Sequence, residues 1–149
     1  MGGYVGGIVM IRQTIYLPDY DWTVRIYYAV TTYWTDMIMR DLSEIGCNGR
    51  DRERAWRNLH DGRLNTGLTF SNPRFHESVM VIGLTSSPDE FANSYDHEKG
   101  HLARQICQAF DIDPYGEEAQ YLAGDISKKM FPIAKKFLCE HCRQSLGIR

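Results

Sequence analysis

The strongest chemical signal in the chain is a run of five residues, His97-Glu98-Lys99-Gly100-His101, the pattern H-E-x-x-H. On an α-helix, residues four apart stand one turn above each other, so the imidazoles of His97 and His101 point the same way. Two neutral imidazoles so placed can hold one Zn²⁺ at about 2.0–2.1 Å. Glu98 then stands beside the metal rather than on it, where it can take a proton from a water held there. With five histidines and eight glutamates in 149 residues, chance gives the pattern in roughly one such chain in a hundred. The bland alternative is a polar helix face that happens to carry two histidines.

The element that must position this run has a clear start. Ser87-Pro88-Asp89-Glu90 reads as a capping box, with Ser87 as N-cap, Pro88 at N1 and Glu90 at N3. The helix is expected to run to about Phe110 and to stop before Asp113-Pro114. Its apolar stripe is Phe91, Tyr95, Leu102, Ile106 and Phe110. His97 falls roughly opposite the middle of that stripe and His101 well off it. The pair therefore faces a groove rather than the core. Cys107 lies nearer the stripe and reads as a packing residue.

Two histidines leave zinc incomplete, because a catalytic site takes three protein ligands and keeps one position open. A last helix is expected from Glu117, with Ala119, Leu122, Ala123, Ile126, Met130, Ile133 and Phe137 as its apolar stripe and Pro132 as a kink or interruption. Either Glu117 or Glu118 could reach back across the turn. Glu117 shares a stripe with Tyr121 and Gly124, opposite the apolar side; Glu118 lies nearer the stripe boundary. One of the two is simply an acidic residue well placed at a helix N-terminus. For an oxyanion stabiliser the chain offers Tyr121, Arg74 and His141.

The remainder of the chain supplies a sheet and two more helices. Residues 1–13 are glycine-rich at the start and read as flexible. Thr14 to Leu17 is a short apolar segment. Trp22 to Thr31 alternates as a strand, with Trp22, Val24, Ile26, Tyr28 and Val30 on one face. Trp34 to Ile45 and Arg50 to His60 read as helices, the second highly charged, with Ala55, Trp56 and Leu59 as its apolar side. Leu64 to Ser71 and Ser78 to Leu84 read as strands around an Asn72-Pro73 turn. The apolar run Ser78 to Ile82 belongs inside the sheet.

Totals narrow the function classes. A length of 149 residues suits one domain with a real core, and 43% apolar with 24% charged residues is ordinary for a globular chain. A net charge of −2 gives no basic excess for nucleic-acid binding. The early apolar run Tyr4 to Ile11 is far short of the roughly 20 residues that span a bilayer, so no membrane partner is expected. Four cysteines (Cys47, Cys107, Cys139, Cys142) are too few for a disulfide scaffold and point to a reducing, cytoplasmic setting.

The motif and its surroundings resemble a family. His97-Glu98-x-x-His101, followed by Glu117-Glu118-Ala119-Gln120-Tyr121-Leu122-Ala123-Gly124, is similar to the small zincin-type metallopeptidases of the gluzincin kind, often encoded by phages, prophages and mobile elements. The stretch Asn65 to Ser71, the apolar strand Ser78 to Gly83, and Ser87 to Phe91 share the likeness, which spans about residues 64–138. It implies an α+β, zincin-like fold, with a small mixed or antiparallel sheet packed on the long motif helix and a C-terminal helix after it. It also implies one Zn²⁺ per chain held by His97, His101 and a downstream glutamate, placed at Glu117 by alignment. Glu98 would be the catalytic base, a peptide or protein the substrate, and the cytoplasm of a bacterial host the setting. Substrate would add as a strand along the Leu68 to Ser71 segment. Residues 1–60 carry no such likeness.

Two readings compete with the peptidase. In one, Cys139 and Cys142 join His97 and His101 in a closed Cys₂His₂ site that has structure but no chemistry. In the other, a zincin-like scaffold is kept for binding alone.

Overall fold

A computed structural model describes residues 2–5, 8–31, 34–63 and 66–147. Five strands form one mixed sheet in the order β1-β2-β3-β5-β4. They are β1 (Gly2–Val5), β2 (Ile8–Leu17), β3 (Trp22–Val30), β4 (Gly67–Asn72) and β5 (Glu77–Gly83). Neighbours pair antiparallel except β3 and β5, which run parallel. That parallel pair requires a long crossover, which holds two helices, α1 (Thr35–Glu44) and α2 (Gly49–His60), and then β4. After β5 come α3 (Pro88–Ala109), α4 (Glu117–Ala134) and the short α5 (Glu140–Ser145).

Both sheet faces are covered, and each carries its own core. Val24, Ile26, Met80 and Ile82 point to one face, where they meet Phe91, Leu102 and Ile106 of α3 and Leu122, Ile126 and Met130 of α4. Tyr27, Val79 and Val81 point to the other, against Ile38 and Leu42 of α1 and Leu59 of α2. The architecture is thus mixed α+β with helices on both sides of the sheet. None of the described helices is long and apolar enough to cross a membrane.

Three elements depart from the sequence reading. Residues 1–13, read as flexible, include β1 and the first six residues of β2, with Ile11, Arg12 and Gln13 in register with Tyr28, Tyr27 and Ile26. The neighbouring strand supplies the order that composition did not signal. In β3 the alternation fails near its end: the register with β5 shifts between Tyr27 and Val30, and Ala29 takes a left-handed φ of 58°. This irregularity sends Ala29 to the α3/α4 face and Val30 to the α1/α2 face, the reverse of simple alternation. Finally, Pro132 does not end α4. The helix runs on to Ala134 and then tightens into a 3-10 turn, Lys135–Phe137.

That turn is fixed by aromatic packing. Phe137 stacks on Tyr28 of β3 (centroids 5.4 Å apart) and on Phe91 of α3 (5.0 Å). Each such pair contributes about 0.5–1.5 kcal/mol beyond simple burial. The start of α3 is therefore held between the sheet and the end of α4, which fixes where the motif residues downstream must lie.

Candidate metal and hydrolytic site

The N-terminus of α3 sets the phase of the motif. Ser87, in extended conformation, accepts the Glu90 backbone N–H at 3.3 Å. The expected reciprocal bond is displaced by one residue: the Glu90 carboxylate takes the Ser86 backbone N–H (3.3 Å) and the Ser86 hydroxyl (2.6 Å). From this start α3 runs for 22 residues without a break, so His97, Glu98 and His101 all lie on regular helix.

His97 and His101 are both exposed, and their Nε2 atoms stand 3.0 Å apart with the rings at 80°. Two bonds of 2.0–2.1 Å to one tetrahedral ion place their nitrogens about 3.3 Å apart. The pair therefore fits two positions of a zinc site. Without an ion the same contact is a hydrogen bond, with one ring protonated at Nε2 and the other not.

Glu98 is held quite differently. It is 1% exposed, and each carboxylate oxygen accepts a threonine hydroxyl: Oε2 from Thr66 at 2.7 Å and Oε1 from Thr69 at 2.8 Å. Both threonines belong to the edge of the sheet that lies over α3. Gln105, two turns further along the helix, donates to the Thr69 carbonyl at 3.1 Å and ties the same edge down. Gly67, between the threonines, has φ +152°, and a Cβ there would stand 1.8 Å from the Val81 carbonyl oxygen and 3.2 Å from Glu98 Cγ. Only glycine lets this edge close over the carboxylate.

The two flanks of α3 have different neighbours. Successive residues turn by about 100°, so His97 and Lys99 lie on opposite sides of Glu98. Lys99 points to α4, donating to Ser127 Oγ at 2.8 Å, and Tyr95 donates to the Ser127 carbonyl at 3.3 Å. His97 consequently lies on the flank away from α4, past the β4 edge. Glu117 opens α4 ten residues before Ser127, roughly 15 Å along the helix axis from the level of Lys99. Glu117 is exposed, and Glu118 accepts the Tyr20 hydroxyl at 3.3 Å. Among the described residues no group of three or more His, Cys, Asp or Glu side chains comes together to hold a metal ion. Neither Glu117 nor the Cys139/Cys142 pair is gathered with the histidines.

The three residues named as oxyanion stabilisers sit on separate elements: Tyr121 on α4, Arg74 in the β4–β5 turn and His141 on α5, all exposed. Sequence reasoning missed Thr66 and Thr69, because their partner is 32 and 29 residues away and no local pattern marks them. No family model, curated protein or solved structure matches the chain.

Proposed function

We propose that α3 carries a zinc-dependent hydrolytic centre acting on a peptide bond, with His97 and His101 as two of the metal ligands and Glu98 as the proton acceptor. The observation that carries the reading is the convergence of the two Nε2 atoms to 3.0 Å beside the edge strand that clasps Glu98. Zinc, when bound, polarises a carbonyl and makes a water acidic near neutral pH. The chain's own residues supply the rest. The two imidazoles fix the ion's place on the helix. Glu98 accepts the water's proton and returns one to the leaving amine. Thr66 and Thr69 aim the carboxylate, and each oxygen keeps a second lone pair with which to take a proton. Among the described residues β4 has one pairing partner in the sheet, so apart from the Thr69 carbonyl, which already accepts from Gln105, its outer edge offers N–H and C=O groups to an extended substrate.

The long helix under a sheet edge supports a zincin-like classification of the α+β fold. Glu117, given as the third ligand by the family resemblance, opens α4, whose Ser127 holds Lys99 and Tyr95 of α3. A metal titration decides this part: the wild type should take up about one zinc per chain, and His97→Ala with His101→Ala should take up none. If Glu117→Ala loses zinc and Glu118→Ala does not, Glu117 is the ligand. Full occupancy in the double histidine variant overturns the proposal.

One observation favours a second reading, a scaffold that binds without catalysing. Glu98 is 1% exposed with both oxygens engaged, which is how a structural carboxylate is held. Digestion of a broad peptide library, with Glu98→Gln as control, separates the two. Cleavage that depends on Glu98 supports the hydrolase. Stoichiometric zinc with no cleavage of any peptide supports the scaffold.

A further inference from the structure

We propose that Cys139 and Cys142 form a reversible dithiol–disulfide site that exchanges with small-molecule disulfides, Cys139 attacking and Cys142 resolving. The pair lies apart from the α3 centre, and nothing in the hydrolytic reading uses it. Both cysteines are free; Cys139 is exposed and Cys142 half-buried, so the first is the more open to a reagent. Cys139 immediately precedes α5 and Cys142 lies in its first turn. A separation of three residues at a helix start brings the two Cα atoms within the roughly 4.4–6.8 Å that a disulfide spans.

The surroundings make the two sulfurs unequal. The Cys139 thiol is held below its ordinary value, chiefly by the polar backbone and thiol of Cys142 beside it and by the His141 backbone. The Cys142 thiol is raised, chiefly by the neighbouring Cys139. Thiolate therefore collects on the exposed sulfur, which is the one a disulfide can reach. The scaffold beneath is fixed. Arg143, 1% exposed, donates to the Thr85 carbonyl at 2.8 Å, and its backbone N–H bonds the Cys139 carbonyl at 2.9 Å. The other two cysteines are buried in different cores, Cys47 at 3% and Cys107 at 2% exposure, and do not compete.

The exchange balances in two steps. Cys139 thiolate attacks one sulfur of a disulfide RSSR, forming a Cys139–SR mixed disulfide and releasing RS⁻. Cys142, losing its proton to solvent, then attacks the Cys139 sulfur, forming the Cys139–Cys142 bond and releasing the second RS⁻. The protein loses two electrons and two protons, and RSSR becomes two RSH.

The test uses the full chain in mixtures of reduced and oxidised glutathione, quenched in acid, alkylated and mapped by mass spectrometry. The expected result is an internal Cys139–Cys142 disulfide over part of the range, with Cys47 and Cys107 still reduced. Cys142→Ser should trap glutathione on Cys139, at about ten times the amount that Cys139→Ser traps on Cys142 in the same time. No internal disulfide at any ratio overturns the proposal, as does zinc held on the two thiols that blocks exchange. Equal or reversed trapping overturns the assignment of the attacking thiol.

Discussion

At the scale of single residues, Glu98 is the most constrained group of the site, and its partners expose it to test. Replacing Thr66 and Thr69 together by Val keeps the shape but leaves a buried carboxylate without donors. The expected cost is about 2 kcal/mol or more, since each buried acceptor left unsatisfied costs about 1–3 kcal/mol. Urea unfolding measures it; an unchanged midpoint would mean that the two hydroxyls do not hold Glu98. Glu98→Gln asks the complementary question. It should leave zinc uptake intact and lower any peptidase activity by roughly 10²–10⁴-fold, the worth of a positioned base. Equal rates for the two proteins would remove Glu98 from the mechanism. Gly67→Ala probes the clasp from the backbone side. A Cβ 1.8 Å from the Val81 oxygen forces β4 away from β5, so a loss of about 1–3 kcal/mol is expected, as for other overpacking.

At the scale of elements, α3 was legible because its signals are local. Ser87, Pro88 and the apolar stripe from Phe91 to Ile106 are read along one helix, and the structure uses each of them. Ser87→Ala should therefore cost about 1 kcal/mol, seen as a lower unfolding midpoint with the motif geometry unchanged. The flank that α4 occupies was not legible. Periodicity says which side of α4 is apolar, but Lys99 and Ser127 meet only because both helices lie on the same sheet face. That contact, rather than any spacing within the motif, separates Glu117 from His97. The bulge at Ala29 escaped the sequence for a similar reason. Every residue from Ile26 to Val30 is buried, so burial leaves no polar position to betray the slip.

At the scale of the whole molecule, a sheet covered on both faces buries phenols as well as hydrocarbon. Tyr28 is 0% exposed and donates to Gln13 Oε1 at 2.6 Å; Tyr27, also 0% exposed, donates to Asp41. Burial pushes both hydroxyls well above the usual 10.0, with the Asp41 bond and charge adding to the effect at Tyr27. The folded chain thus keeps protons that the unfolded chain releases near pH 10. This contribution to stability is complete below about pH 10 and is lost as pH rises beyond it. Urea midpoints at about pH 8 and about pH 11 should therefore diverge, and Tyr28→Phe should narrow the difference. An equal fall in the variant would place the alkaline loss elsewhere.

By itself the sequence determined the helix that carries His97, Glu98 and His101, the side of that helix turned from the core, the buried strand Ser78 to Ile82, and the α+β class. These are short-range matters: capping, a period of 3.6 or 2, and the preference of apolar side chains for shelter. The tertiary structure decided that residues of the glycine-rich start join the sheet, that Thr66 and Thr69, just before and within edge strand β4, hold the buried Glu98, and that α4 packs on the Tyr95 and Lys99 flank of α3. Each of those depends on distant partners: 13 to 17 residues for Ile11, Arg12 and Gln13 on β3, and 28 to 32 for the threonine and Lys99 contacts. Such pairings are chosen by which faces of the sheet remain to be covered, and no local pattern records that choice.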